Sequence, residues 1–497
     1  MPTNDALGGG AVRAVRRRAS DLRTTEVCRL AAIMIQGVSS SAGKSLVTTA
    51  FARAFARRGV DVVPFKAQNM SNNARVVSGG EIGVAQYLQA LAAGIEPDVR
   101  MNPVLVKPEG DDQSQVVVLG RPDLELSRQV WRARSAKLWP PISRALSGLM
   151  AEHELVLIEG AGSPAEINLR GSDLANMRTA SAAGAQVVLV ADIDRGGAFA
   201  HLYGTWSLLP AAERALVRGF VLNKFRGDTA LLPPAPRRLA ALTGVETLGV
   251  IPWLEHGLPD EDGAADPSSS TGRGFRVAVV RYPTASNLDE FKPLEQVAQL
   301  RWATRLEDLD ADLVVLPGSK HVVSDLNWLR RRNLDRGVLA RAAAGLPVLG
   351  ICGGMQMLGT SMVDRGGVDG NAKGLGLLPL ETTFTATKLA AAVEARFAAL
   401  LAPWSSLSGQ TVSGYEIRYG ESVATGPVVS ALSARRGFVA GAVLGVSVHG
   451  LFENAAVVAA LVGRAPERNL EVVFDDLADA VEEHLDVGLL LREAGVG

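Results

Sequence analysis

Two short runs hold residue types at spacings that chemistry requires. The first is Gly37-Val38-Ser39-Ser40-Ser41-Ala42-Gly43-Lys44-Ser45, which follows an apolar stretch and leads into a helical pattern. A glycine-rich turn entering a helix aims backbone N–H groups at phosphate oxygens, and the helix dipole adds to the attraction. In that setting Lys44 would lie on the β- and γ-phosphates of ATP and the Ser45 hydroxyl on Mg²⁺. Gly37, Gly43, Lys44 and Ser45 are therefore nucleotide-binding candidates. Five residues rather than four separate the two glycines, and Val38 holds the usual glycine position. Mg²⁺ keeps several waters and takes one or two protein oxygens, so Ser45 needs a carboxylate beside it. Glu159, closing the apolar run Leu155 to Ile158, is the candidate; Asp192 and Asp194 end another such run and serve equally well as capping acids. Lys66 follows a strand in a chain that uses arginine far more than lysine, and could neutralise charge on a transferred phosphoryl group. Asn223, before Lys224 at a later strand end, has the look of a base-reading turn.

The second run is Gly350-Ile351-Cys352-Gly353-Gly354. Gly-x-Cys-x-Gly after a buried strand makes a sharp strand-to-helix turn whose small neighbours expose the sulfur. A helix N-terminus behind it favours the thiolate, which is the attacking species. The N–H groups of Gly353 and of Gly318, in Leu316-Pro317-Gly318-Ser319, are oxyanion-hole candidates. A thiol nucleophile needs a base. Of six histidines, His449 closes an apolar strand in Ser447-Val448-His449-Gly450 and is the candidate, with His321 in the loop after Gly318 as the runner-up. An orienting acid should complete the set, but Leu451 stands two residues past His449, where such an acid is common. Glu453 is close in sequence with its role open. Cys28 has no such setting and reads as structural.

These groups need rigid elements to hold them. Short apolar runs alternate with longer amphipathic stretches, the pattern of βα units and parallel sheets. Strands are expected at Ala31 to Gln36, Asp61 to Phe65, Leu155 to Ile158, Gln186 to Ala191 and Gly219 to Leu222. A second series comprises Phe275 to Val280, Asp312 to Leu316, Pro347 to Ile351 and Val443 to Val448. Between the two series the chain turns polar and rich in Gly, Pro, Ser and Asp, as a linker does. The fold class expected is thus α/β, with two doubly wound domains joined near residue 265. A length of 497 residues agrees with more than one core. The N-terminal 27 residues carry Arg13, Arg16, Arg17, Arg18 and Arg23 around three glycines and read as a disordered tail, with an organelle transit peptide as the alternative. Charge is balanced, 51 Lys+Arg against 52 Asp+Glu, so nothing points to a nucleic-acid partner. Two cysteines exclude a disulfide framework, and no apolar run approaches the length of a membrane span. A cytoplasmic enzyme is expected.

Taken together, the motifs resemble a dethiobiotin-synthetase-like, P-loop NTPase-like ATP domain followed by a class I glutamine amidotransferase-like domain. That is the arrangement of the cobyrinic acid and cobyric acid synthase family. The longer phosphate loop is typical of the first of these folds. Long segments resemble the cobyric acid branch: Pro64-Phe65-Lys66-Ala67-Gln68-Asn69-Met70-Ser71-Asn72-Asn73, Met101-Asn102-Pro103-Val104-Leu105-Val106-Lys107-Pro108, and Glu159 through Leu169. The resemblance implies an ATP-binding amide synthetase domain over 28–256, a linker over 257–274 and a glutamine amidotransferase domain over 275–497. Family members commonly lack the acid replaced here by Leu451, and usually carry a histidine where Arg418 stands; Thr284-Ala285-Ser286-Asn287-Leu288 matches loosely. The implied reaction uses ATP, Mg²⁺ and glutamine to amidate four carboxylates of a corrinoid polycarboxylate. Gln68, Asn69, Asn72 and Asn73 are candidates for holding that substrate. Rivals stay open: a sister amidase acting on the a and c carboxylates or another amide synthetase with the same two halves, and a partition-type P-loop ATPase with an inert second half. The latter usually carries a lysine early in the loop, where Val38 and Ser39 stand here.

Overall fold

The strand Ala31–Gly37 is apolar at almost every position because both of its faces are covered, as expected at the centre of a parallel sheet. The computed structural model describes residues 31–109, 114–259 and 274–496. The expected tail over 1–27, Cys28 and most of the linker over 257–274 lie outside these residues. Six parallel strands run in the order Thr247–Pro252, Val217–Phe225, Gln186–Asp192, Ala31–Gly37, Leu155–Glu159 and Val62–Phe65. The first strand in sequence is thus flanked by the strands ending in Glu159 and Asp192. In doubly wound sheets, ligands bind outside the carboxyl ends of such strands, and the loop Val38–Gly43 begins there. A small four-stranded sheet, Gln68–Met70, Val104–Pro108, Ser114–Val118 and Arg121–Asp123, extends the same half.

The second half repeats the plan. Gln299–Ala303, Arg276–Val280, Leu313–Leu316, Val348–Ile351 and Val443–Val446 are parallel, and Gly437–Ala440 and Val429–Leu432 extend the edge antiparallel. Both sheets are the α/β doubly wound type expected from the sequence. A long hairpin, Leu380–Arg396 with Thr411–Ala424, leaves the second sheet and reaches the strands Ala74–Val77 and Gly80–Gly83 of the first half.

The chain ends by returning to the first half. Helices Leu470–His484 and Val487–Ala494 lie against helix Lys44–Arg57, and Val473, Phe474 and Leu477 join a core with Phe51 and Phe55. Arg53 pairs with Asp475 at 2.8 Å and Arg58 with Glu482 at 3.0 Å along the outer edge. Such surface pairs contribute roughly 0–1 kcal/mol each, against about 1.5–3 kcal/mol for burying one large apolar side chain. Apolar burial therefore holds these helices in place. The unit expected over 275–497 thus gives its last helices to the core of the first half.

Candidate functional site

At the carboxyl edge of the first sheet, helix Lys44–Arg57 starts from Gly43 in the left-handed region (φ 97°), with no side chain capping its first turn. A Cβ on Gly43 would lie 2.0 Å from the Asn223 amide nitrogen, which itself donates to the Ala42 carbonyl at 2.9 Å. Only glycine leaves room for this clasp. Gly37 is similarly tight, with the Lys44 ammonium 2.9 Å from where a Cβ would stand. Lys44 Nζ donates to the carbonyls of Ser39 and Gly162, both at 3.1 Å, so its charge is held at the mouth of the loop.

Glu159 is the hub of this side. Its fully buried carboxylate accepts from Ser45 Oγ at 2.8 Å, Lys66 Nζ at 2.8 Å and Gln89 Nε2 at 2.5 Å. Ser45 and Glu159 thus present two hard oxygens side by side, a set that fits Mg²⁺ completed by phosphate and water. Among the described residues no cluster of three acidic, His or Cys ligands exists, and Mg²⁺ at a phosphate loop does not require one. Asp192 is engaged elsewhere, with Lys224 at 3.0 Å and Arg195 at 3.4 Å, and Asp194 faces Arg226 at 3.7 Å.

Of these groups Lys44 and Lys66 line a cavity of about 580 Å³, together with the run Gln68 to Asn73, and Arg281, Tyr282 and Leu288 of the second half close it. The four substrate candidates differ there. Asn69 is spent internally, donating to Gln86 at 3.1 Å and accepting from the Met70 amide. Asn73 accepts from the Leu288 amide at 3.2 Å, joining the halves. Gln68 and Asn72 line the cavity, and the Asn72 amide oxygen is buried without a partner among the described residues.

On the second sheet, Cys352 has φ 51° and ψ −105°, a conformation costing a non-glycine residue of order 1–3 kcal/mol. Val348–Ile351 and helix Gly353–Leu358 fix both ends of the turn, and the glycines make it sterically feasible. A Cβ on Gly354 would meet the Leu316 carbonyl at 1.9 Å, and one on Gly353 the Ser319 amide at 2.7 Å. Gly318 packs against the His449 ring, whose Cε1 is 2.6 Å from where its Cβ would be. Gly318, Gly353, Cys352 and His449 therefore converge. His321 instead faces Asp369 at 3.5 Å.

The orienting acid is one the sequence reading did not single out. His449 Nδ1 bonds Glu290 Oε1 at 3.0 Å, while the Gly450 N–H donates to Glu290 Oε2 at 2.9 Å. Both side chains are buried. Burial alone would lower the His449 pKa, but the Cys352 sulfur and the Glu290 carboxylate outweigh it and push it up to about 10. The signal available in the sequence was the Asp289-Glu290 pair just after the second domain's first strand. Glu453, the nearer acid in sequence, pairs with Arg75 instead.

Arg75 belongs to the first half. Its buried guanidinium also meets Asp289 and the Tyr415 hydroxyl, and lies 4.9 Å from the Tyr415 ring centroid. Tyr415 stacks on His449 at 5.4 Å and exchanges two backbone hydrogen bonds with it. On the other side, Cys352 opens onto a second cavity of about 460 Å³ with Glu416, Arg418, Arg436 and Ser447. Glu416 accepts from Ser447 Oγ at 2.7 Å and pairs with Arg418 at 3.1 Å and Arg436 at 3.3 Å. Arg418 thus has a partner and a place in this pocket.

Residues 33–258 match the family described as CobQ/CobB/MinD/ParA nucleotide binding domain, and residues 276–457 that described as CobB/CobQ-like glutamine amidotransferase domain. Among curated proteins, the chain is 52% identical to a cobyric acid synthase of Polaromonas sp., over 92% of this chain and 97% of that one. It is 56% identical to that of Methylibium petroleiphilum (93% and 96% covered) and 55% identical to that of Variovorax paradoxus (92% and 98% covered). With that identity sustained along both halves, the chain belongs to the cobyric acid synthase family, a nucleotide-binding half joined to a glutamine amidotransferase half in one amide-forming ligase.

Proposed function

We propose that this ligase converts adenosylcobyrinic acid a,c-diamide to adenosylcobyric acid, amidating four peripheral carboxylates in succession at the expense of ATP and glutamine. The observation that carries this reading is the pairing of two sites: Lys44 and Lys66 line one cavity, with Glu159 bonded to Lys66, and Tyr282 of the same cavity wall feels the charges of Cys352 and Glu290, the latter bonded to His449. Tyr282 lines the first cavity, and its phenol is kept neutral far above the usual range by burial, Asp325 and the charge of Cys352. The two chemistries are neighbours.

In the glutaminase half, the Cys352 thiolate attacks the glutamine carboxamide carbon. The developing oxyanion is received by the N–H groups near Gly318 and Gly353. His449, cationic at neutral pH beside Glu290, gives its proton to the departing ammonia and leaves a γ-glutamyl thioester, which water then cleaves to glutamate. Glu416 suits the α-ammonium of glutamine, and Arg418 and Arg436 its α-carboxylate.

In the synthetase half, a substrate carboxylate oxygen takes the γ-phosphoryl group of ATP and ADP departs. Ammonia then displaces phosphate from the acyl phosphate. Lys44 and Lys66 balance charge on the transferring group and hold reactants in line. Ser45 and Glu159 would hold Mg²⁺, which when bound neutralises charge across the β- and γ-phosphates. Asn223, at the end of its strand, is assigned to the nucleotide. Gln68 and Asn72 are the better placed of the four substrate candidates.

Mass spectrometry of the acceptor tests the reading. With ATP, Mg²⁺ and glutamine, four successive exchanges of hydroxyl for amino on cobyrinic acid a,c-diamide are expected. An unchanged acceptor in a folded sample that hydrolyses ATP and glutamine would reject it.

A further inference from the structure

The cavity at the phosphate loop is walled on one side by the glutaminase half, and that wall carries an arginine with no role in the chemistry above. Arg281 follows the strand Arg276–Val280, is half-buried, and its guanidinium lies 5.9 Å from the Trp302 ring centroid. Its backbone N–H is tied to the Ala303 carbonyl, which fixes where the side chain starts. Among the described residues no carboxylate pairs with it, although it lines the cavity. Three arginines buried or half-buried near Cys352 and His449 are matched: Arg75 by Asp289 and Glu453, Arg418 and Arg436 by Glu416. A guanidinium losing water in a concave site gains most when a carboxylate takes its fork of donors.

Across the cavity, Lys44 and Lys66 are committed to the phosphate end. The rim between carries apolar surface from Met70, 50% exposed, and Leu169, 40% exposed, with Trp131 beside them. Apolar surface at the rim with a lone cation on the far wall suits a broad, partly apolar molecule bearing several acids. We infer that Arg281 anchors a carboxylate of the acceptor other than the one being activated, so that the glutaminase half completes the acceptor site of the synthetase half. This rests on the polycarboxylate acceptor proposed above. The acceptor then binds well only when both halves are apposed.

The test uses the full chain carrying Arg281→Ala or Arg281→Lys. Acceptor Kd, read without ATP by equilibrium dialysis and the corrinoid's visible absorbance, is expected to rise on the order of 10- to 100-fold for Arg281→Ala. Acceptor KM should follow it, with partial recovery in Arg281→Lys. The KM values for ATP and glutamine, and glutaminase activity without acceptor, should stay at the wild-type level. Unchanged acceptor Kd and KM in a protein whose wild type amidates the corrinoid would overturn the inference and leave the proposed function standing. An equal loss in all three KM values would also overturn it, marking Arg281 as structural. A wild type that neither binds nor amidates the corrinoid removes the reading beneath it.

Discussion

An imidazole that takes and returns a proton must present one nitrogen to the nucleophile, and the bond at its other nitrogen decides which. Here Glu290 does this from a segment 159 residues away in sequence, with its second oxygen fixed by the Gly450 N–H. Glu290→Gln should therefore lower glutamine-supported kcat on the order of 10²–10⁴-fold, with ammonia-supported synthesis unchanged. The carboxylate is one of the groups raising His449, so its loss moves the histidine pKa down from about 10. The alkaline limb of the glutaminase pH profile should shift to lower pH. A profile that keeps its shape, with kcat near wild type, would remove Glu290 from the site. Spacing around His449 did not reveal this acid, because the Asp289-Glu290 pair lies far along the chain; Glu453, the nearby acid whose role was open, has its carboxylate taken by Arg75.

At the scale of elements, each site depends on how a strand hands over to a helix. Most of the parallel strands were legible because burial on both faces leaves near-continuous apolar runs, such as Ala31–Gly37 and Leu155–Glu159, each ending at a working residue, whereas the sheet-edge strands Thr247–Pro252 and Gln299–Ala303 were not expected. The hairpin Leu380–Arg396 with Thr411–Ala424 was not, since much of it is exposed and its Thr- and Ala-rich pattern has no clear period. Gly43 tests the handover directly. Gly43→Ala would force an L-residue into φ 97° and a Cβ onto the Asn223 amide. ATP binding and ammonia-supported synthesis should fall together, while glutaminase activity stays; titration calorimetry with ATP reads the first. Arg75 tests the contact between the elements of the two halves. Removing it leaves Asp289 buried without its cation, so Arg75→Met should cost about 3–5 kcal/mol. Arg75→Met combined with Asp289→Asn should recover part of that in a denaturation series. Additive losses instead would show that the two do not interact.

Over the whole molecule, two sheets with separate cores are held as one by buried polar contacts and by the returning C-terminal helices. The amphipathic pattern of Leu470–His484 shows which face is apolar but not which half it covers, so that return was not legible. Between the halves, Lys107, Lys320 and Lys388 gather near Glu81. Burial would raise Glu81, but Lys107 and Lys388 hold it at about 2, while burial brings Lys107 down to about 7 and Lys320 to about 8. Between pH 10.5 and 7 the unfolded chain gains a proton on Lys107 that the folded one resists, so stability is lost as pH falls through that window. His449 works the other way, with stability present below 6.5 and lost as pH rises through about 10. The difference between wild type and Lys107→Met isolates the lysine. The variant should be less sensitive to pH between about 7 and 10.5 in Tm, and an identical slope would contradict the lowering of Lys107 by burial.

The central claim is a division of labour in one chain, with ammonia made at Cys352 and consumed at Lys44. The most direct measurement compares glutamine-supported with ammonia-supported amide synthesis in Cys352→Ala and Lys44→Ala. Loss of only the glutamine-supported reaction in Cys352→Ala, with loss of both in Lys44→Ala, is the expected result. Loss of both in a folded Cys352→Ala, or ammonia-supported synthesis surviving in Lys44→Ala, would contradict it.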